Sequence, residues 1–153
     1  AIERIIYALL ETSGQDNVKP SLPLWLSPTQ IRLLPISDKF LDKCKEIAET
    51  IKQNNIRADI DDNESTLDKK IMNAEQDWVP YICVIGQKEI DSNKLSVRIR
   101  LENKNQSMEL NELIQNINII QKICQKQDQV FLFYYQKDLF SINNYYIVFD
   151  NYY

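Results

Sequence analysis

The segment Trp78–Leu101, which reads WVPYICVIGQKEIDSNKLSVRIRL, constrains the fold more than any other part of the chain. Within it, Val79–Ile85 is a nearly unbroken apolar run of the length of a buried β-strand, and a polar connector follows. Leu95–Leu101 then alternates apolar and polar side chains, which places one face of a second strand on a core and the other toward solvent or a partner. The outward face carries Arg98 and Arg100, at a spacing of about 7 Å.

The charge of the chain limits how it can bind a polyanion. Its 153 residues suit one domain with its own core, and the formal net charge is −4. This charge argues against a broad basic surface. Any contact with a nucleic acid has to come from a local patch.

Missing residue types exclude several kinds of site. The chain has no histidine, so a histidine-based catalytic triad is excluded and a zinc site lacks ligands. Two glycines cannot supply a glycine-rich phosphate loop, and no apolar run of eighteen residues is present that would span a membrane. Three widely separated cysteines without a CxxC motif indicate buried free thiols in a reducing cytoplasm: Cys44, Cys83 and Cys124.

Periodicity along the chain predicts an α/β fold. Asn54–Asn55 ends one predicted helix, because asparagine tolerates the left-handed backbone at a helix C-terminus. Strand–helix–strand order with short connections implies right-handed parallel crossovers, and hence four or five strands in a mixed sheet flanked by three helices. The predicted elements are a helix over 2–11, a linker over 12–23, a strand over 31–36, a helix over 38–53, a strand over 56–60, a helix from Ser65 or Thr66 to about Asp77, the two strands above, and a helix from Ser107 through Ile120.

Charged residues near the predicted strand ends have competing interpretations. The acidic run DIDDNE at 59–64 has oxygen ligands that can hold Mg²⁺ or Ca²⁺, but carboxylates before a helix N-terminus are also favoured by its dipole, and we favour the second interpretation. Lys69 and Lys70 indicate a solvated helix face. Glu89, in the connector, can accept a hydrogen bond from a base edge or pair with a neighbouring lysine.

Several blocks of sequence resemble one family. The chain is similar, over roughly residues 22–118, to the anticodon-binding domain of class II threonyl-tRNA synthetases, most of all the archaeal type. The resemblance implies a five-stranded mixed sheet with three helices. The blocks that carry it are LPLWLSPTQIRLLPIS (22–37), IRADIDD (56–62), TLDKKIMNAEQDWVPYICVIGQKEI (66–90) and LSVRIR (95–100).

The resemblance implies an organisation for the whole chain. AIERIIYALLE resembles the motif 3 helix that closes the class II catalytic domain, so residues 1–12 are interpreted as the end of that domain, 13–23 as a linker and 24–120 as the anticodon-binding domain. Residues 121–153 form an aromatic-rich tail that resembles nothing in the family. We interpret the tail as an added element, a stacking surface or, preferably, sequence translated downstream of a frameshift.

By resemblance, Glu89 and Arg98 contact bases of the threonine tRNA anticodon, with Arg100, Glu64 and Lys70 at neighbouring surface positions. Unstacked loop bases are read through their hydrogen-bonding edges, and arginine can both donate in a fork and stack.

The parent enzyme shapes the remaining expectations. By resemblance, Arg4 matches the motif 3 arginine that contacts ATP in the whole synthetase. The resemblance also implies that this whole enzyme is a cytoplasmic dimer that uses Mg²⁺ and, as one option, Zn²⁺. No catalytic or metal-binding residue is predicted within this chain. We therefore expect that the chain alone does not activate threonine.

Three positions depart from the family pattern. Asn63 and Met72 stand where arginine is usual, and Asp68 stands where glycine is usual, which predicts weaker contacts with the tRNA backbone. Two alternatives therefore stay open. One is a degenerate or free-standing paralogue that acts as an accessory module, and the other is the anticodon domain of a prolyl-, histidyl- or glycyl-tRNA synthetase.

Overall fold

A mixed five-stranded sheet organises the residues that the computed structural model describes, which are 21–126 together with Tyr7 and Glu11. Its strand order is β2-β1-β3-β4-β5, which confirms the predicted α/β class and five-stranded mixed sheet. The strands are β1 (Ile31–Pro35), β2 (Ala58–Ile60), β3 (Tyr81–Ile85), β4 (Leu95–Ile99) and β5 (Lys104–Met108). The helices are α1 (Leu41–Gln53), α2 (Leu67–Gln76), α3 (Gln87–Ser92) and α4 (Leu110–Lys126), and a 3-10 turn over Asp38–Phe40 leads into α1.

The register of the strands aligns several charged residues across the sheet. Strand β1 is parallel to β2 and β3, whereas β4 is antiparallel to β3, and β5 to β4. At one level, Arg32 pairs with Asp59 and with Ile82, and Ile82 pairs with Arg98. Residues paired in register share a face, so both arginine side chains lie on the same side of the sheet.

Two apolar clusters cover opposite faces of the sheet. The smaller joins Leu34 and Ile82 to Val79 and to Ala74 of α2. The larger joins the opposite faces of β1 and β3 to α1 and α4, so α1 and α2 lie on different sides of the sheet. Members of the larger cluster include Ile31, Leu33, Cys44, Ala48, Ile51, Cys83, Ile85, Val97, Leu113 and Ile117.

Two of the three cysteines are buried free thiols, as predicted. Burial raises the pKa of Cys44 to about 11 and that of Cys83 to about 12. Both therefore stay protonated near neutral pH, and a protonated thiol is a poor nucleophile and metal ligand. The side chain of Cys124 lies outside the described residues.

Asparagines end α1 and α3 by adopting the left-handed backbone. Asn55 has a φ of 60° and Asn93 a φ of 52°, and the Asn54 side chain donates to Thr50 O at 2.8 Å. The predicted stop of α1 is thus confirmed. Trp78 lies two residues after the end of α2 and also has a left-handed backbone, with a φ of 56°. It is half-buried and belongs to neither apolar cluster of the described residues.

Two local predictions were wrong. The connector after Gly86 forms the short helix α3, which gives four helices instead of three. Ser107, predicted to begin the last helix, lies in β5. Because β5 is an edge strand whose first residues, KNQS, are all exposed, no apolar alternation marks it in the sequence.

Part of the predicted organisation lies outside the described residues. This applies to the helix at 2–11 except for Tyr7 and Glu11, to most of the linker, and to the tail beyond Lys126. The last helix continues past the predicted domain end at residue 120. Within the described part of the chain, no helix combines the length and apolar character needed to cross a bilayer.

Candidate nucleic-acid interface

The strand order creates a crevice at the carboxyl ends of β1 and β3. The chain passes from β1 through α1 to β2, and then through α2, on the other face, to β3. The direction of winding reverses between β1 and β3, and ligands of open α/β sheets bind outside the carboxyl ends of the strands at such a point. Ile36 and Gly86 directly follow the two strands there.

Glu89 lies at this crevice, in the first turn of α3. Its Oε2 accepts a hydrogen bond of 3.0 Å from Gly86 N, which holds the side chain across the start of the helix. The residue is half-buried. One carboxylate oxygen is thus held by the backbone, while Oε1 retains lone pairs that can accept from a base amino or imino group.

Glu64 lies on the same edge of the sheet, in the loop that joins β2 to α2. The Asp61 carboxylate accepts from Asn63 N at 3.1 Å and from Asn63 Nδ2 at 2.8 Å, and Ser65 N donates to Asn63 O at 2.9 Å. These bonds order the turn. The Glu64 side chain is exposed, as predicted.

Lys70 is not a surface residue, contrary to the sequence-based expectation. It is only 6% exposed, and its Nζ donates to Asp61 O at 3.0 Å and to Pro35 O at 3.3 Å. The ammonium group therefore ties the residue after β2 to the end of β1. It stabilises the floor of the crevice and does not present a charge to a ligand.

Arg98 lies on the face of the sheet that α2 partly covers, and α2 supplies its counter-ion. Its Nε donates to Glu75 Oε1 at 2.8 Å, its Nη2 lies 2.7 Å from the same oxygen, and Nη2 also donates to Asn103 Oδ1 at 3.0 Å. The side chain is 29% exposed. These contacts use Nε and Nη2, so Nη1 is the nitrogen placed to reach a ligand.

Arg100 is buried, and its predicted place on the exposed strand face is wrong. Arg100 N donates to Pro80 O at 3.0 Å, so the pairing with the β3 side continues past Ile99 and Arg100 lies on the same face as Arg98. The end of α2 covers that face, because both arginines contact Glu75. The side chain is 4% exposed and Nε donates to Glu75 O at 3.1 Å. Burial lowers the pKa of Arg100 from its ordinary value, and the nearby Glu75 carboxylate opposes that shift.

The five predicted interface residues therefore fall into two groups. Glu89, Glu64 and Lys70 lie at the carboxyl edge of the parallel strands, whereas the two arginines lie beside the end of α2. Arg98 pairs with Ile82, which precedes Gly86 by four residues, so the two groups are separated by about 13 Å along the sheet. Glu89 and Arg98 are therefore placed so that each can contact a different nucleotide.

The sequence analysis did not single out Glu75, although this residue positions both arginines. Its carboxylate binds Arg98, and its backbone carbonyl accepts from Arg100. No local pattern reveals this role, because Glu75 lies 23 positions before Arg98. The contact depends on how α2 crosses the sheet.

The described residues offer no set of metal ligands. No three His, Cys, Asp or Glu side chains in that part of the chain come together as a cation site. The acidic run is instead divided between other partners, since Asp59 pairs with Arg32 and Asp61 accepts from Asn63. Arg4, the expected ATP contact, lies outside the described residues.

A cleft lies between α1 and α3, behind Glu89. Its volume is about 170 Å³, and Lys43, Glu46, Ile47, Ile90 and Leu110 are among its lining residues. Pockets for small-molecule ligands usually enclose about 300–1,000 Å³. The cleft is smaller than that range, so it does not have the size of a small-molecule site.

Comparison with known proteins gives matches over most of the chain. A family model described as "Anticodon binding domain" matches residues 30–119. The threonine–tRNA ligase of Methanosphaera stadtmanae is 45% identical over 123 residues, which cover 80% of this chain and 20% of that protein. The chain thus spans about a fifth of the length of the curated relatives it matches.

Solved structures share the fold. The RNA-binding domain of threonyl-tRNA synthetase from Cryptosporidium parvum Iowa II matches with a TM-score of 0.62 and 28% identity, over 65% of this chain and 25% of that one. Prolyl-tRNA synthetase from Cryptosporidium parvum matches with a TM-score of 0.71 and 23% identity, over 88% of this chain and 28% of that one. The prolyl enzyme is evidence for the fold alone.

Proposed function

Because this chain belongs to the family of anticodon-binding domains, we propose that it binds the anticodon loop of the threonine tRNA as part of a threonine–tRNA ligase. The observation that carries the proposal is the placement of Glu89 at the carboxyl-edge crevice, with one carboxylate oxygen held by Gly86 N. A half-buried acceptor of fixed orientation suits the reading of a base edge. The choice of threonine rests on the identity of 45% with a threonine–tRNA ligase.

Glu89 and Arg98 have separate roles in this proposal. Glu89 accepts from the donor edge of one unstacked base. Arg98 donates from Nη1 to a second nucleotide, about 13 Å away along the sheet. The Glu75 carboxylate holds the guanidinium in a defined orientation, which favours recognition by geometry over a mobile charge.

Aminoacylation is proposed for the whole protein and not for this chain by itself. ATP, Mg²⁺ and any Zn²⁺ belong to that larger protein, in which the domain would contribute recognition of the tRNA. We expect the purified chain to show no threonine-dependent ATP–pyrophosphate exchange.

The test is binding of the 153-residue chain to threonine, proline and histidine tRNA transcripts at one fixed salt concentration. Threonine tRNA should bind most tightly. Glu89→Gln leaves an acceptor for Gly86 N but removes the charge, and it should cost about 1–3 kcal/mol of base discrimination. Asp91→Asn, an exposed change on the same helix, is the matched control and should change nothing.

A second pair of variants separates recognition from folding at Arg98. Arg98→Ala removes both the donor and the ion pair, whereas Glu75→Gln weakens the ion pair and keeps the arginine. Recognition by Arg98 predicts that Arg98→Ala loses more affinity than Glu75→Gln. Equal, weak affinity for all three tRNAs, unchanged by the Glu89 and Arg98 substitutions, would contradict the proposal and favour an accessory paralogue.

A further inference from the structure

We propose that Ile36 is a base-contacting residue, on whose exposed side chain one nucleobase of the bound RNA lies face-on while its edge meets Glu89. This inference rests on the proposed function and adds to it a residue that supplies an apolar surface. It concerns the crevice between the carboxyl ends of β1 and β3, where Ile36 is the first residue after β1.

Ile36 is an exposed aliphatic side chain on a rigid backbone. The side chain is 54% exposed, although its neighbours Leu34 and Pro35 are buried. Its backbone N donates to Ile85 O at 3.0 Å, which continues the pairing of β1 with β3 beyond the end of the strand. A β-branched side chain on such a backbone has few rotamers, so it forms a defined surface.

Gly86 brings Ile36 and Glu89 together. A Cβ at residue 86 would lie 2.5 Å from Ile36 Cδ1 and 3.1 Å from Glu89 Oε2. The backbone angles of Gly86, φ −135° and ψ −170°, are ordinary for any residue. Glycine is therefore suited to this position by close packing, and the Ile36 methyl group and the Glu89 carboxylate lie side by side above its backbone.

The chemistry of the crevice favours a base over an anion. The amide at the start of α3 already donates to the Glu89 carboxylate, and that negative charge repels a phosphate group at the same place. An apolar surface beside a fixed hydrogen-bond acceptor matches an unstacked nucleobase, which has an apolar face and an edge with N–H donors. The ligand class is thus a single-stranded base with a donor edge.

Ile119 provides a matched control for Ile36. Both isoleucines are 54% exposed, but Ile119 lies on α4, which packs on the sheet face opposite to α2. Truncation to alanine removes the same atoms from each. A difference in RNA binding between the two variants therefore reports on location and not on surface hydrophobicity.

The experiment measures binding of the full chain and its variants to an RNA hairpin with the threonine tRNA anticodon stem and loop, by fluorescence anisotropy. Ile36→Ala should bind up to about fivefold more weakly, which is the low end of the loss found when an aromatic side chain that stacks on a base is removed. Ile119→Ala should bind like the unsubstituted chain. Hairpins with an abasic site at each loop position then identify the partner, since at one position the Ile36→Ala penalty should disappear.

The outcomes separate this inference from the proposed function. If the unsubstituted chain prefers the threonine hairpin and Ile36→Ala binds it equally well, the base-contact inference is overturned and the function stands. If the penalty persists at every abasic position, Ile36 acts through folding, which also overturns the inference. If the unsubstituted chain has no preference, the proposed function itself fails.

A milder variant covers the case in which Ile36→Ala lowers the melting temperature. Ile36→Val removes the Cδ1 methyl that packs over Gly86 and keeps the β-branch. It should give a smaller loss of affinity that disappears at the same abasic position. Unchanged affinity of a folded Ile36→Val chain, together with position-independent loss in Ile36→Ala, would contradict a base contact.

Discussion

At the scale of single residues, two buried cations donate to backbone carbonyls at the ends of elements. Lys70 Nζ donates hydrogen bonds to Asp61 O and Pro35 O, and Arg100 Nε donates to Glu75 O. Leaving a buried carbonyl without a donor is costly, and Lys70 supplies the donor for two of them, whereas Glu75 O also accepts from Trp78 N at 3.2 Å. A basic residue can therefore be structural even in a domain that binds RNA.

Lys70→Met should lower the free energy of unfolding by about 1–3 kcal/mol, because it leaves two buried carbonyls without their donor. Methionine keeps most of the side-chain volume. Lys69→Met, one residue away and exposed, should stay within about 0.5 kcal/mol of the original chain. Urea unfolding of both variants measures the difference, and equal stabilities would show that the Lys70 contacts contribute nothing.

At the scale of elements, arginines from two strands hold the C-terminus of α2 against the sheet. Arg32 of β1 pairs with Asp77 at 2.5 Å, and Arg98 of β4 pairs with Glu75 at 2.7 Å. Cations near a helix C-terminus also interact favourably with its dipole. The end of α2 is thereby fixed above Ile82, and Arg98 keeps one orientation.

Glu75→Gln should lower the free energy of unfolding by about 1–2 kcal/mol. The Glu75 carboxylate is partly buried and accepts from both Nε and Nη2 of Arg98, and the substitution turns this ion pair into a contact with a neutral amide. Glu46→Gln is the control, because Glu46 pairs with Lys43 on the exposed face of α1 and such pairs contribute about 0–1 kcal/mol. Thermal and urea unfolding provide the measurements. A Glu75 effect no larger than the Glu46 effect would mean that the ion pair does not fix α2.

At the scale of the whole molecule, a net charge of −4 requires that RNA binding depend on few contacts with phosphates. The three positions that depart from the family pattern, Asn63, Asp68 and Met72, are all exposed. Their substitution therefore changes the charge of the surface and leaves the apolar clusters intact. We therefore predict weak RNA binding with a shallow salt dependence.

Restoring arginine with Asn63→Arg and Met72→Arg together should tighten binding of the threonine hairpin. Each new phosphate contact should steepen the slope of log K against log salt by about 0.7–0.9. The matched control is Asn111→Arg with Gln115→Arg, which adds the same charge at exposed positions of α4. Binding isotherms at several salt concentrations measure both. Equal steepening in the two double variants would show that only net charge matters.

Most of the strands and helices within residues 31–99 could be predicted from the sequence. The apolar core of β3, the alternation of β4 and the asparagine that ends α1 all express local chain geometry. Strand β5 could not be predicted, because an exposed edge strand shows no alternation of apolar and polar residues. Likewise, the alternation placed Arg100 on the same sheet face as Arg98, but it did not show that α2 covers that face and buries Arg100.

The sequence by itself determined the α/β class, the buried thiols and the resemblance to anticodon-binding domains. Periodicity and sequence motifs depend on residues that are close in the chain, and composition needs no structure at all. Only the tertiary structure decided that Lys70 and Arg100 are buried, that Glu75 holds Arg98, and that Ile36 lies beside Glu89 over Gly86. Each of these facts depends on a group supplied by a distant part of the chain. Burial and pairing of a charge are set by the elements packed around it, which local sequence does not specify.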